Sequence, residues 1–147
     1  MEYKLRQATE SDFANILNLF KEFATFEKVP EKMVNSVDRM MKEKDLFNCF
    51  VAETKDKNII GYVTYFFTYH TWIGKCLYMD DLYVVDAYRH KGIGKKLLET
   101  VIDIAKTQGC HKLRWQVSNW NKNAQEFYKS MGAEIDGVEL NCDLKVD

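Results

Sequence analysis

Apolar residues recur along this chain with two periods. Phe13, Ile16, Leu17, Phe20 and Phe23 are spaced for one stripe of an amphipathic helix. Thr9-x-x-Asp12, just before them, has capping-box spacing with a shorter acid. Pro30 ends the helical pattern after Glu27-Lys28-Val29, and a second helical stretch runs from Val34 to Lys42. Elsewhere the pattern suits strands. Tyr3 to Ala8 alternates weakly, Asn48 to Glu53 is short and apolar, and Ile59 to Phe67 is longer. The turn Lys55-Asp-Lys-Asn58 makes a hairpin of the last two. Thr71-Trp-Ile-Gly74 interrupts the apolar run, and Lys75 to Val84 is the next strand. Helical spacing returns from Lys95 to Thr107 and ends at Gly109. A strand over Lys112 to Val117, a helix over Asn123 to Met131 stopped by Gly132, and a last strand over Glu139 to Val146 complete the reading. The order β-α-α-β-β-β-α-β-α-β predicts an α/β fold in one domain, residues 1–147, with a mixed sheet covered by helices on both faces.

One junction in this pattern carries chemistry. After the strand ending at Val84 comes Tyr88-Arg89-His90-Lys91-Gly92-Ile93-Gly94-Lys95, and then the helix. Two glycines let backbone N–H groups converge on an anion, and the first turn of the helix adds its dipole. Arg89, His90 and Lys91 add positive charge. The segment is not a dinucleotide fingerprint, because Leu97 stands where the third glycine belongs. Nor is it a P-loop, because Gly94-Lys95-Lys96 lacks the hydroxyl and the spacing. A plain glycine-rich connection is the alternative to a phosphate site.

Arg89-His90-Lys91-Gly92-Ile93-Gly94 resembles Arg/Gln-x-x-Gly-x-Gly/Ala, the signature of the GCN5-related N-acetyltransferases (GNAT). Further stretches resemble the diamine branch, the spermidine/spermine and thialysine acetyltransferases. They are Tyr65 to Lys75, Leu77-Tyr-Met-Asp-Asp-Leu-Tyr-Val84, and Trp120-Asn121-x-x-Ala124-x-x-Phe127-Tyr128-x-x-x-Gly132-Ala133. The likeness runs from about Leu5 to Ala133. It implies the GNAT fold, a strongly twisted mixed sheet, with acetyl-CoA as acyl donor and a small amine as acceptor. It also implies a homodimer in which residues of both subunits border the acceptor site.

Composition narrows the partners. Lys and Arg number 21 against 22 Asp and Glu, a formal net charge of -1, so no global basic field exists to hold nucleic acid. The chain is 46% hydrophobic and 29% charged, as in ordinary water-exposed globules. No apolar run approaches the roughly 20 residues of a membrane span, and the N-terminus lacks a signal-like apolar region, so the expected location is cytoplasmic. Cys49, Cys76, Cys110 and Cys142 are scattered without Cys-x-x-Cys spacing, which suggests free thiols and no metal site.

The resemblance also distributes roles. Backbone groups of Leu82, Tyr83 and Val84 would run beside the pantetheine arm, and the turn from Arg89 through Lys95 would hold the pyrophosphate. Asn121 matches the family Asn near the pantetheine; a helix N-cap is the other reading. Tyr128 matches the general acid that protonates the leaving thiolate, a task suited to a phenol of pKa about 10. Asp80 matches a Glu that takes the amine proton through water, and Asp81 matches a carboxylate facing the cationic substrate. The plainer reading is an exposed acidic pair at a strand start. Glu27, His70, Thr71 and Trp72 complete the implied acceptor side.

Two departures shift the expected acceptor. Polyamine enzymes have an Asp where this chain has His70, and a His⁺ would repel a distal ammonium. Thr71 matches the thialysine branch. Both branches continue after Gly-Ala with Glu-Gly-Trp, whereas this chain reads Glu134-Ile-Asp-Gly137. These favour a lysine-like amine or short diamine over spermidine and spermine. A peptide or protein acetyltransferase and a non-catalytic acyl-CoA-binding module are the other classes.

Overall fold

The computed structural model describes residues 1–147, which form two compact units, Met1–Trp115 and Gln116–Asp147. The first unit contains one five-stranded sheet in the order β1-β2-β3-β4-β5. Its strands are β1 (Tyr3–Gln7), β2 (Asn48–Thr54), β3 (Ile59–His70), β4 (Gly74–Val84) and β5 (Lys112–Arg114). The first four are antiparallel neighbours, and β5 lies parallel to β4. The sheet is therefore mixed, as expected. Its helices are α1 (Phe13–Phe26), α2 (Val37–Lys42) and α3 (Ile93–Thr107); α4 (Lys122–Ser130) belongs to the second unit.

Local chemistry sets the helix starts. The capping box forms: Thr9 N–H donates to Asp12 Oδ2 at 2.8 Å, and Arg6 grips the same carboxylate at 2.7 and 2.9 Å. That fork ties β1 to the start of α1. The second helix begins at Val37, not Val34, because the Ser36 side chain caps it by accepting from Arg39 N–H.

Alternation along the sheet gives it two covered faces. Tyr62 and Tyr83 are buried toward α1, with ring centroids 5.1 Å from Phe20 and Phe23 respectively. Phe13, Ile16, Leu19, Met40, Cys49 and Val51 belong to the same core. On the opposite face α3 lies over Gly61, where an added Cβ would meet Tyr83 O at 3.0 Å and Leu97 Cδ1 at 3.5 Å. Leu97, Leu98 and Val101 are fully buried there.

Three expected boundaries change. The β3–β4 hairpin is longer than its apolar runs, because the ladder continues through Tyr69↔Lys75 to His70↔Gly74. The strand expected over Lys112 to Val117 pairs only through Arg114. The last expected strand, Glu139 to Val146, does not form. Asp136 instead accepts from Val138 N–H at 2.9 Å, a local turn. Leu140, Leu144 and Val146 stay 87%, 87% and 91% exposed, so alternation without a neighbouring strand produces no ladder.

Candidate active site

The parallel pairing of β5 with β4 covers only Cys76 to Tyr78. From Met79 to Val84 the side of β4 turned away from β3 has no strand partner. This open edge includes Leu82, Tyr83 and Val84, and it leads directly into the glycine turn. There Asp86–Tyr88 forms a short 3-10 turn, His90 takes φ 63°, and Gly92 takes φ 82° as the N-cap of α3. The first helical bond runs from Lys96 N–H to Gly92 O. The backbone N–H groups of Ile93, Gly94 and Lys95, the first turn of α3, precede that bond and have no partner within the helix. An added Cβ on Gly92 would meet nothing within 4 Å, so space lies open beside these donors. Val84 closes on Gly94, whose Cβ would come 3.7 Å from Val84 Cγ2. Together, the first-turn donors and the open space fit a pyrophosphate, the anionic link within the acetyl-CoA that the resemblance implies.

Arg89 is used differently from the rest of the turn. Its Nε donates to Val84 O at 2.8 Å, and its guanidinium lies 4.6 Å from the Phe26 ring centroid and 5.4 Å from that of Tyr83. It also pairs with Asp86 at 3.3 Å. The Tyr83 hydroxyl donates to Glu22 Oε2 at 2.7 Å. Burial and Glu22 push that phenol up to about 12. Arg89 and Tyr83 thus fasten the end of α1 to the end of β4. His90, Lys91 and Lys95 are exposed, and the two lysines carry positive charge at the turn.

A β-bulge divides Asp80 from Asp81. The β3–β4 register passes from Thr64↔Asp81 directly to Tyr65↔Met79, so Asp80 is an extra residue without a partner. Asp80 is exposed, although neighbouring protein withdraws some water and raises its carboxyl affinity for a proton. Asp81 turns to the α1 side. Its Oδ2 accepts from the Tyr62 hydroxyl at 2.8 Å, and its N–H donates to Thr64 Oγ1 at 3.1 Å. Burial pushes the Asp81 carboxyl up to about 7, helped by the negative charges of Asp80 and Glu27 and opposed by the Tyr62 hydrogen bond. Glu27, the C-cap of α1, is thus electrically part of this group.

His70, Thr71 and Trp72 are not brought to these carboxylates. They occupy the hairpin tip, six residues along β3 from Thr64. At about 3.3 Å per residue, that is roughly 20 Å away. His70 Nδ1 accepts from Trp72 N–H at 3.3 Å, which shapes the tip. Tyr69 and Trp72 are 78% and 91% exposed, and Phe67 is 42% exposed.

In the second unit, Asn121 is the N-cap of α4, its Oδ1 accepting from Ala124 N–H at 3.1 Å. The capping role is therefore present. Tyr128 is the one buried residue of α4 and lies against Phe127, with ring centroids 5.4 Å apart. Tyr62 and Glu22 are the residues missed from sequence. The signal for Tyr62 was its place two residues before Thr64, on the strand face that pairs with Asp81.

A β4 edge without a strand partner beyond Tyr78, an anion cradle at its end and carboxylates at a bulge are features that an acyl-transfer site can use. The chain belongs to the acetyltransferase (GNAT) family, whose sequence profile matches residues 13–133, and it is an N-acetyltransferase. The match runs through both compact units. Enzymes of this family use acetyl-CoA as acyl donor.

The chain is 36% identical to thialysine N-epsilon-acetyltransferase of Bos taurus over 141 residues, 88% of this chain and 83% of that one. It is 34% identical to the human spermidine/spermine N(1)-acetyltransferase-like protein 1 over 141 residues, 89% of this chain but 20% of the relative. Among solved structures, an aminoglycoside acetyltransferase from an uncultured soil sample superposes with a TM-score of 0.81 at 23% identity, covering 97% of each chain. At that identity the likeness concerns the fold. No helix is long and apolar enough to cross a membrane.

Proposed function

We propose that the enzyme transfers an acetyl group from acetyl-CoA to a compact primary amine, a lysine-like side chain such as that of thialysine or a short diamine. The observation that carries this reading is the open edge of β4, with the first-turn donors of α3 at one end and the Asp80–Asp81–Glu27 group along it. Backbone N–H groups of His90 to Lys95 hold the pyrophosphate, with charge from Lys91 and Lys95. Backbone groups of Leu82 to Val84 orient the pantetheine, while Arg89 keeps the turn in place. Asn121 combines its cap with a carboxamide contact to the same arm. Acetyl-CoA supplies the acyl group as a thioester.

Asp80, Asp81 and Glu27 attract one ammonium and provide for loss of its proton. The Tyr128 hydroxyl gives its proton to the departing sulfur. Relatives named for thialysine support the acceptor class, and one group of carboxylates suits one ammonium better than several. A polyamine acceptor is the second reading, supported by the spermidine/spermine-like relative. The four free cysteines suit a reducing, cytoplasmic setting.

Gly92→Val tests the donor site. The substitution fills the open space and is disfavoured at φ 82°. Titration calorimetry with acetyl-CoA should show affinity at least about tenfold weaker in a variant whose circular dichroism matches wild type. Unchanged affinity in that folded variant would remove the turn from the donor site.

A further inference from the structure

We propose that Asp81, rather than Asp80, takes the proton from the acceptor ammonium, receiving it at Oδ1 while Tyr62 holds Oδ2. This inference rests on the amine-acetyltransferase reading and deepens it. The resemblance assigns the proton to Asp80 and the cation contact to Asp81; the geometry favours the opposite division.

Three observations support it. First, the bulge leaves Asp80 unpaired and exposed, where its carboxylate is free to attract an incoming cation but is held by no hydrogen bond. Second, Asp81 is anchored on one side only. Tyr62 donates to Oδ2, and Oδ1 accepts no hydrogen bond. No buried side-chain oxygen lacks a partner, so Oδ1 is reached from solvent. A fixed carboxyl with one accessible oxygen is what a proton acceptor requires. Third, the groups acting on Asp81 make it hospitable to a proton. They are Asp80 beside it on β4, Glu27 at the end of α1 and Tyr62 on β3, and the Cys49 thiol on β2 feels its charge in turn. None is a cation.

A carboxyl near 7 lies closer to an alkylammonium than an ordinary carboxyl does, so the transfer is less uphill. The step is simple: one N–H bond of R–NH₃⁺ breaks, its electron pair stays on nitrogen, and an O–H bond forms at Asp81 Oδ1. The neutral amine is then nucleophilic, and Asp81 later returns the proton to water.

The same arrangement has a consequence in the protein alone. Between the ordinary carboxyl value of 3.8 and about 7, folded Asp81 keeps a proton that the unfolded chain has released. Stability therefore falls as pH rises through that window. Asp81→Asn removes the titration, so its melting temperature should drop less than wild type between pH 5 and pH 8.

The deciding experiment is the pH dependence of kcat/KM for thialysine in wild type, Asp81→Asn, Asp80→Asn and Tyr62→Phe. Wild type should rise to a break near neutral pH. Asp81→Asn should lose about a hundredfold at pH 7 and lack the break, rising steadily with the free-amine fraction. Asp80→Asn should keep the break and raise KM. Tyr62→Phe removes a hydrogen bond to the charged carboxylate, so its break should move upward by roughly one pH unit. A break retained in Asp81→Asn but lost in Asp80→Asn would overturn the proposal. Should Asp81→Asn fail to fold, an unmoved break in Tyr62→Phe would overturn it as well. Absence of acetylation by wild type with every amine would instead refute the underlying reading, while the melting comparison would still report on Asp81.

Discussion

Tyr128 is the only fully buried residue of α4, and we assign its phenol to the leaving group. Tyr128→Phe keeps the ring and deletes the donor. We expect kcat to fall about tenfold or more with little change in KM for acetyl-CoA, since the proton is needed as the sulfur departs and not for binding. Stopped-flow or quenched turnover under conditions where chemistry limits the rate checks this; wild-type kcat would exclude the role. At this scale the sequence was informative about residue types and blind to their aim. Asp80 and Asp81 look equivalent in the string, and strict alternation would put them on opposite faces. The extra residue at Asp80 breaks that alternation, and a bulge leaves no mark in hydrophobic periodicity. Arg89 reads as a phosphate ligand because it precedes the glycines. Its Nε and Nη1 also donate to Val84 O and Asp86, and its face lies over Phe26 and Tyr83, contacts that the glycine spacing does not announce.

The elements themselves were legible wherever a stripe had a partner. The stripe Phe13, Ile16, Phe20 and Phe23 became α1, and the apolar positions from Ile93 to Ala105 became α3. The C-terminal alternation Leu140, Leu144, Val146 did not become a strand, because a ladder depends on a neighbour that the local pattern cannot report. The β3–β4 hairpin raises a separate question. Its tip exposes the aromatic rings Phe67, Tyr69 and Trp72, and large exposed apolar patches commonly mark interfaces. We propose that the tip is covered in a homodimer, which would also give His70, Thr71 and Trp72 access to a partner's acceptor site. Light scattering at micromolar protein should give twice the 17.3 kDa chain mass, and Tyr69→Ser with Trp72→Ser should shift the population to monomer. A wild-type monomer throughout that range would contradict the pairing.

At the scale of the whole molecule, acidic and basic residues nearly balance, and three carboxyls meet near the β4 bulge. A formal net charge of -1 offers no long-range attraction for a polycation. Asp80, Asp81 and Glu27 are coupled electrostatically as one group of carboxyls, and the hairpin tip has His70 where polyamine enzymes have a carboxylate. Such a distribution holds one ammonium well and gives a second or third no evident counter-charge. Discrimination then follows from the difference in binding between a compact amine and an extended one. The measurement that tests this most directly is kcat/KM for thialysine, lysine, putrescine, spermidine and spermine with saturating acetyl-CoA, each product confirmed by mass. Thialysine, lysine or putrescine should lead spermine by about tenfold or more, a difference of about 1.4 kcal/mol at the transition state. A lead of that size for spermidine or spermine would contradict the account and make the enzyme a polyamine acetyltransferase.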